Sequence, residues 1–311
     1  MEALMRTIIY FALSLWLMGC TTYSTKPITH FYDYQLASPE GEPIALTALP
    51  QALKDADVIL VGEWHTHPAI HRFQTDLLEQ LNLQKRDVAL SMEQFSRDSQ
   101  PVLNRYLAGE IGEQYLISQA SAWPNYESDY RPLIEYAKAH NIDTIAANAP
   151  KSIVRCIGKV GIEYLDRLPA EQRQHVARQV DMSSSLYKEK FMASMHHGSA
   201  EQTENQFAAQ ITWDETMAES IVEYLTDHPN SQVMHIAGKF HTQQGLGTAN
   251  SIFRRNPNLK IVVITPVEKI QPLSPDFQLE VLPVPTAFIQ PNNRMQAYKQ
   301  LATRNAELSC K

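Results

Sequence analysis

Short apolar runs alternate with amphipathic stretches along most of the chain. The runs that have the length of buried strands lie at residues 57–61, 88–92, 143–147, 232–237 and 260–265. Alternation of buried strands with helical stretches is typical of βαβ units, in which the strands of one sheet run parallel. The pattern therefore predicts an α/β fold with a large parallel β-sheet flanked by helices.

Local signals predict four further elements. Residues 32–36 and 43–46 flank the turn sequence Ser-Pro-Glu-Gly, which predicts an N-terminal hairpin. Residues 68–83 carry proline in the first turn and apolar residues at helical spacing, so we expect a helix there. A second helix is expected over about residues 129–140. After Thr265 the chain is rich in proline, and we expect it to form edge structure.

Residues 151–229 contain no convincing strand pattern. Helical patterns fill this region instead, at residues 170–180, 183–197 and 204–226. We predict a smaller all-helical inserted domain here, within an α/β domain formed by residues 30–150 and 230–311. Ligands of open α/β sheets bind outside the carboxyl ends of the strands, so a helical cap at that edge would close over a binding site.

Residues 1–19 are predicted to be a signal peptide. A weakly charged start precedes a short apolar run that ends in Leu17-Met18-Gly19-Cys20. The run is shorter than the ~20 apolar residues that a membrane-spanning helix needs. Its end resembles the bacterial lipobox, which implies that Cys20 becomes the lipidated first residue of the mature chain. Residues 20–29 then form a tether, and Thr21 favours the outer membrane of a Gram-negative cell envelope.

Composition adds two constraints. The net charge of -7 argues against nucleic acid as a partner, because a nucleic-acid site needs a basic surface. With Cys20 lipidated, Cys156 and Cys310 remain, and they are able to pair in an oxidising compartment and hold the C-terminal tail. Two cysteines do not by themselves establish a bridge, so the paired and unpaired states both stay open.

Charged and imidazole side chains follow the ends of the predicted strands. Glu63 and His65 follow the first apolar strand, Glu93 follows the second, and His241 follows the fourth. The carboxyl ends of parallel strands meet at one rim of a sheet, where a binding pocket is expected. Two carboxylates and two imidazoles suit either general acid–base catalysis or a divalent metal, although no known zinc-binding spacing is present in the sequence.

Three neighbouring polar residues are given structural roles. His67 precedes Pro68 and is placed to cap the predicted helix. His71 and Arg72 form an ordinary first-turn pair on the same helix. The four strand-end residues are therefore the ones that we interpret as functional.

Five motifs resemble the ChaN family of haem-binding lipoproteins. They are Gly62-Glu63-x-His65, Met92-Glu93, Trp123-Pro-x-Tyr126 with Tyr130-x-Pro-Leu, Gln210-x-x-Trp213-Asp-Glu-Thr-Met-Ala218, and Gly238-x-x-His241. The strand-end set is also similar to that of a wider superfamily that holds the erythromycin esterases and the TIKI/TraB-type metalloproteases. The resemblance implies a large parallel sheet flanked by helices with a small helical domain.

The ChaN resemblance also implies a ligand and partners. It implies non-covalent, b-type haem in a homodimer, with two haems stacked face to face between the protomers. Each iron is then held by one tyrosine, and the propionates by a histidine and a lysine of the partner. An outer-membrane haem receptor is the implied collaborator. Tyrosinate is a known axial ligand of haem iron. The sequence has no Cys-x-x-Cys-His, so covalent c-type attachment is excluded.

The motifs leave several candidates for the haem ligands. The candidate iron ligands are Tyr187, Tyr130 and Tyr126, and the candidate propionate ligands are Lys190, His196 and His197. Helical spacing places Tyr187, Lys190 and His197 on roughly one face. Ordinary amphipathic helices produce the same stripe, so a structural role for each residue stays open.

Two functions follow from the sequence. The first is a haem-binding lipoprotein, not an enzyme, that assists haem-iron uptake at the outer membrane. The alternative is a hydrolase in which Glu63 and His65 activate water, while Glu93 and His241 position the substrate or a divalent metal. A fold that is shared with hydrolases carries many unrelated functions, so fold alone does not decide between the two.

Overall fold

The computed structural model describes residues 27–84, 86–195, 199–303 and 309–310. Cys20, His196 and His197 lie outside the described residues, and so do the predicted signal peptide and most of the predicted tether. Among the described residues, no helix combines the length and the apolarity that crossing a bilayer requires.

One sheet forms the centre of the described chain. Its strands are β1 (Tyr34–Ala37), β2 (Pro43–Ile44), β3 (Val58–Glu63), β4 (Val88–Ser96), β5 (Thr144–Asn148), β6 (Gln232–Gly238), β7 (Ile261–Val267) and β8 (Phe277–Val281). The eight strands are ordered β2-β1-β8-β7-β3-β6-β4-β5. Strands β3 to β8 run parallel, and the β1–β2 hairpin joins β8 antiparallel. The predicted α/β class with a large parallel sheet is confirmed.

Helices pack on both faces of this sheet. They are α1 (Gln51–Asp55), α2 (Pro68–Asn82), α3 (Gln100–Leu107), α4 (Glu113–Gln119), α5 (Arg131–Ala139), α6 (Lys151–Val160), α7 (Ala170–Arg173), α8 (Leu186–Ser194), α9 (Ala200–Asp227), α10 (Lys239–Thr242), α11 (Thr248–Arg255) and α12 (Pro291–Thr303). A π-helical turn, Tyr126–Tyr130, precedes α5, and short 3-10 turns occur at Leu46–Ala48, Arg97–Ser99, Ile162–Arg167 and Gln243–Gly245.

Strand β3 shows why the central strands are continuously apolar in sequence. Ile59 and Val61 pack into a core cluster with residues of α2 and α5. Val58 and Leu60 face the opposite side of the sheet and pack with Ile221 of α9. A strand that is covered on both faces needs an apolar side chain at every position, so its sequence does not alternate.

Strands β3 and β4 are longer than the apolar runs that predict them. Both strands extend past these runs and include Glu63 and Glu93, so both carboxylates lie in the last part of a strand, where the sequence places them. Strand β8, in the Pro-rich region, lies between β7 and β1 rather than at the edge of the sheet, and the edge position belongs to β2. The expectation of edge structure after Thr265 is therefore wrong for β8.

The helix expected over residues 170–180 is also much shorter than predicted. It ends as α7 at Arg173. The guanidinium group of Arg173 donates hydrogen bonds to the carbonyls of Val176, Ala177 and Arg178. These bonds satisfy carbonyl groups locally and hold the chain in a compact turn, so helical periodicity here does not produce a helix.

In the described part of residues 151–229, the regular secondary structure is helical, as expected. The 28-residue helix α9 extends from this region onto the sheet. Near its start Phe207 packs against Tyr187 and Phe191 of α8, whereas Leu225 near its end packs in the cluster beneath β3 and β6. One continuous helix therefore links the helical region to the sheet, and the division into separate domains stays a prediction.

A disulfide joins Cys156 of α6 to Cys310. The two Cα atoms are 5.5 Å apart, and the residues are 154 positions apart in the sequence. This answers the question that the sequence left open. The described tail between β8 and Cys310 is largely exposed, so the disulfide attaches the far end of this tail to the folded domain.

Replacing Cys310 by serine is expected to lower the free energy of unfolding by about 2 kcal/mol, at the low end of the usual disulfide contribution. The loss is small for so long a loop because a released, exposed tail also regains entropy in the folded state. Urea denaturation with and without reductant measures it. Wild type and Cys310→Ser should differ under oxidising conditions and coincide under reducing ones, and equal stability in both conditions would contradict the prediction.

Candidate functional site

A pocket of about 1050 Å³ opens at the carboxyl rim of the sheet. Its wall includes all four strand-end residues, Glu63, His65, Glu93 and His241. The structure brings them together because β3, β6 and β4 are neighbouring parallel strands. The other notable wall residues are aromatic or basic: Trp64, Trp123, Trp213, Phe240, Lys151, Arg155 and Lys239.

Glu63 is a fully buried carboxylate that is surrounded by donors. It accepts hydrogen bonds from the Tyr130 hydroxyl (2.6 Å), His65 Nδ1 (2.8 Å), Gln94 Nε2 (3.0 Å) and Gln74 Nε2 (2.7 Å). Burial raises the pKa of Glu63, but the hydrogen bonds and nearby imidazoles outweigh it and hold the pKa below its usual value. Glu63 is therefore ionised at neutral pH and orients the ring of His65.

His65 is the more accessible imidazole of the pocket. Its side chain is 45% exposed, and its ring lies edge-on to Trp123 at a centroid distance of 5.0 Å. Nε2 of His65 makes no hydrogen bond to any described residue, and a Cβ at position 238 would lie 2.9 Å from it, which explains the glycine there. Burial lowers the pKa of His65, yet the hydrogen bond to Glu63 and the charge of Glu93 raise it overall above its usual value.

His241 forms the second charged pair of the site. Its Nδ1 donates to Oδ1 of Asp214 at 3.0 Å, and its Nε2 lies 3.7 Å from Oε1 of Glu93. Burial lowers the pKa of His241, but Asp214 and Glu93 together raise it to about 9. His241 is therefore an imidazolium at neutral pH. The other oxygen of Glu93 accepts the backbone N–H of Gly238 at 2.6 Å, which ties β4 to β6 at the rim.

Asp214 is a functional residue that the sequence reasoning did not single out. It is fully buried in α9 and also accepts from the hydroxyls of Thr248 (2.8 Å) and Tyr187 (2.7 Å). A signal was present: Gln210 and Asp214 are polar residues one helical turn apart on a long helix, so they share a face. Gln210 donates to the Tyr187 hydroxyl at 2.9 Å and also lines the pocket.

All three candidate iron ligands are buried. Tyr126, Tyr130 and Tyr187 are 2%, 0% and 2% exposed. The hydroxyls of Tyr130 and Tyr187 donate to Glu63 and Asp214, whereas the Tyr126 hydroxyl has no hydrogen-bond partner among the described residues. Burial, reinforced by nearby carboxylates, raises the pKa of each well above its usual value. Each is therefore a neutral phenol outside the pocket wall, and iron ligation by any of them stays a prediction.

Lys190, a candidate propionate ligand, lies beside the pocket. Its ammonium group is 4.8 Å from the ring centroid of Phe240, a wall residue, and 3.4 Å from Oε1 of Gln243. Burial and the positive charge of Lys239 lower the pKa of Lys190. The other two candidates, His196 and His197, lie outside the described residues.

The neighbours of the strand-end set make structural contacts, but not the ones that the sequence predicts. His67 directly precedes α2, yet its side chain does not cap the helix; Nε2 donates instead to the carbonyl of Leu282 at 2.9 Å. His71 packs beneath His65, with Nε2 donating to its carbonyl at 3.1 Å. Arg72 pairs with Asp76 at 3.5 Å on the surface.

The divalent metal of the hydrolase hypothesis has no preformed site in the described chain. Within residues 27–84, 86–195, 199–303 and 309–310, no group of three or more histidine, cysteine, aspartate or glutamate side chains is arranged to hold a metal ion. The strand-end carboxylates are instead engaged with histidines and amides of the protein.

Known proteins resemble this chain in sequence pattern and in fold. A family model described as haem-binding uptake, Tiki superfamily, ChaN, matches residues 49–252. ChaN of Campylobacter jejuni, solved with cofacial haem binding, has a TM-score of 0.63 at 18% identity and covers 82% of this chain and 99% of its own. No curated protein sequence matches the chain.

Two further solved structures match the chain with lower TM-scores. An erythromycin esterase, the EreC mutant in its open conformation, has a TM-score of 0.44 at 9% identity, over 75% of this chain and 76% of its own. The type III effector HopBA1 has a TM-score of 0.45 at 10% identity, over 83% of this chain and 100% of its own. The family match carries more weight, because residues 49–252 include every strand-end residue of the pocket.

Proposed function

This chain belongs to the ChaN family of haem-binding uptake proteins in the Tiki superfamily, and on that premise we propose that it binds haem as cargo in the pocket at the carboxyl rim. The observation that carries the proposal is the pocket itself. It has a volume of about 1050 Å³, and its wall contains three tryptophans, a phenylalanine and three basic side chains. Concave, mostly apolar sites with a few polar groups are typical of cofactor-sized ligands.

The wall residues fit the two chemical parts of haem. Trp64, Trp123 and Trp213 supply flat apolar surfaces for the porphyrin faces. Lys151 and Lys239 supply cations for the propionates, which are carboxylates that favour charge-assisted hydrogen bonds. Bound this way, haem would bring a ferric iron that needs an axial donor.

His65 is the donor that the described conformation makes available. Its Nε2 makes no hydrogen bond to a described residue, while Glu63 holds Nδ1 at 2.8 Å. A carboxylate on the second imidazole nitrogen orients a metal-binding histidine and makes it more basic.

Tyrosine ligation, which the family resemblance implies, requires a buried tyrosine to reach the pocket. Tyr130 would have to leave Glu63 and Tyr187 would have to leave Asp214. Tyr126, whose hydroxyl has no partner among the described residues, would only have to become exposed.

Location and assembly belong to the same proposal. We propose a lipoprotein that is anchored through Cys20 at the outer membrane, where an outer-membrane haem receptor is its partner. The apolar run that ends in Cys20 supports the anchor, and the Cys156–Cys310 disulfide supports an oxidising compartment outside the cytosol. ChaN of Campylobacter jejuni binds haem cofacially. A cofacial pair here would form when two copies bring their pockets together, as a homodimer.

One observation favours a second candidate, a hydrolase. A carboxylate-oriented imidazole with an accessible Nε2 is the arrangement of a general base. His65 would take a proton from water, and the charged His241 would stabilise negative charge that develops on the substrate. Haem binding alone gives no role to the buried pair of His241 and Asp214, so the hydrolase remains the alternative.

Hemin titration of the purified full chain tests the proposal. We expect a new Soret absorption that saturates with added hemin, and an increase in molecular mass if haem links two copies. Lys151→Glu should weaken binding because it reverses a charge at the pocket, whereas Lys269→Glu, an exposed lysine outside the pocket, should not. Absence of a spectral change, together with ester hydrolysis that is lost in His65→Ala, would put the hydrolase first.

A further inference from the structure

The first described residues, which precede β1, lie at the same rim of the sheet as the pocket. The ring of Phe31 lies 5.4 Å from the ring of His67, which lies 5.8 Å from the ring of Trp64. Trp64 is part of the pocket wall, and Lys239, another wall residue, holds its ammonium 5.5 Å from the Trp64 ring. The segment that leads towards Cys20 is therefore two ring contacts away from the pocket.

His67 also connects this segment to the chain that follows β8. Its Nε2 donates to the carbonyl of Leu282, so residues 31 and 282 meet at one imidazole. Large apolar side chains are exposed at this junction: Phe31 is 37%, Tyr32 59% and Val284 49% exposed. We call these three residues the rim surface. Arg72, whose Nη1 donates to the carbonyl of Tyr32 at 3.4 Å, lies beside them and is paired with Asp76 at 3.5 Å.

The distance to the predicted anchor is short. Cys20 and Pro27, the first described residue, are seven residues apart. An extended chain covers at most ~3.6 Å per residue, so a lipid on Cys20 would lie within ~25 Å of Pro27. Tethering at this range corresponds to a millimolar effective concentration, so even a weak contact with the bilayer would be populated.

We propose that the rim surface rests on the bilayer that holds the Cys20 lipid, so that the pocket is held beside the membrane. Phenylalanine and tyrosine side chains favour the interface between lipid and water. The proposal rests on the lipidation of Cys20 given above. In this orientation an amphipathic ligand passes between membrane and pocket without crossing bulk water.

Hydrogen exchange on vesicles tests the contact. The full chain is reconstituted through its own lipid into vesicles of phosphatidylethanolamine and phosphatidylglycerol. We expect exchange in residues 28–34 and 282–286 to slow by about tenfold relative to the chain without vesicles. The double variant Phe31→Ser/Tyr32→Ser should lose this protection. Leu83→Ser should keep it, because Leu83 is 69% exposed but follows α2 at the end opposite His67.

A chain that lacks the lipid on Cys20 can be distinguished from a chain whose rim surface does not contact the bilayer. Mass spectrometry of the purified chain shows whether Cys20 carries a lipid. If it does not, a chain in which a hexahistidine tag replaces residues 1–20 is bound to nickel-chelating lipid, which keeps a tether of similar length before Pro27. Protection that the double variant removes supports the rim surface in either format. Unchanged exchange on vesicles, or equal protection in the double variant, overturns it.

Discussion

Asp214→Ala is expected to lower the free energy of unfolding by about 3–5 kcal/mol at neutral pH, the usual cost of removing one partner from a buried ion pair. The variant leaves His241 buried and charged, with Oε1 of Glu93 at 3.7 Å as its remaining counter-charge. It also removes the carboxylate that accepts hydrogen bonds from the hydroxyls of Tyr187 and Thr248 in the wild-type protein. Urea denaturation monitored by tryptophan fluorescence measures the loss.

The pH dependence separates the charge contribution from the hydrogen bonds. The pKa of His241 in the folded protein is raised to about 9, from an unperturbed value of 6.5. Its stabilisation is therefore fully present below pH 6.5 and is lost as the pH rises through about 9. The difference in stability between wild type and Asp214→Ala should be smaller at pH 10 than at pH 6.

Glu223→Ala is the matched control in the same helix. Glu223 is 45% exposed and pairs with Arg97 and Arg178 at the surface. Exposed ion pairs contribute about 0–1 kcal/mol, so this variant should change stability little at any pH. An Asp214→Ala loss as small as that of Glu223→Ala, or equally large at pH 6 and pH 10, would show that the buried pair is not what stabilises the site.

His65→Ala is expected to weaken hemin binding by about 100-fold or more, since outer-shell partners of a metal ligand alone contribute ~10–100-fold. His65 offers Nε2 to the pocket, and Glu63 orients it from the other side of the ring. The pKa of His65 is raised above its usual value, so affinity should fall as the pH drops through it and Nε2 takes a proton. Spectroscopic titration between pH 5 and pH 9 measures both effects, with the exposed His228→Ala as the control.

The tyrosine variants decide the ligand in the same experiment. Tyr130→Phe should weaken hemin binding much less than His65→Ala if His65 ligates the iron, because Tyr130 reaches the pocket only through the wall residues Glu63 and Trp123. A tyrosinate-type spectrum that disappears in Tyr126→Phe, Tyr130→Phe or Tyr187→Phe, and survives in His65→Ala, would show that the assignment to His65 is wrong. It would also show that a buried tyrosine is released when haem binds.

The strand-end residues were predictable from the sequence, and their partners were not. Glu63, Glu93 and His241 follow apolar runs whose lengths identify them as buried strands, and parallel strands place their carboxyl ends at one rim. Asp214 occupies a helix 27 residues before His241, and its contact with the imidazole depends on how α9 lies against β6. Helical spacing reveals which residues share a face, not what that face meets.

The burial of the candidate tyrosines was also not predictable from local sequence. Helical spacing placed Tyr187 on one face with Lys190 and His197. Tyr126 and Tyr130 were further candidates to present phenolate to haem, yet all three tyrosines are buried. A tyrosine ring is readily buried when its hydroxyl finds an acceptor. For Tyr130 that acceptor is Glu63, which is 67 residues away in the sequence. No local pattern around Tyr130 contains that information.

The sequence by itself determined the α/β class, the five central parallel strands, the helical character of residues 151–229 and the residues that reach the rim. These properties follow from the spacing of apolar side chains, which is a local quantity with a period of two or 3.6 residues. The tertiary structure alone decided which carboxylate each histidine and tyrosine shares, and whether Cys156 and Cys310 pair. Those contacts join residues from different elements, so they depend on how the elements pack against one another, and for the buried polar groups pairing offsets the cost of burial.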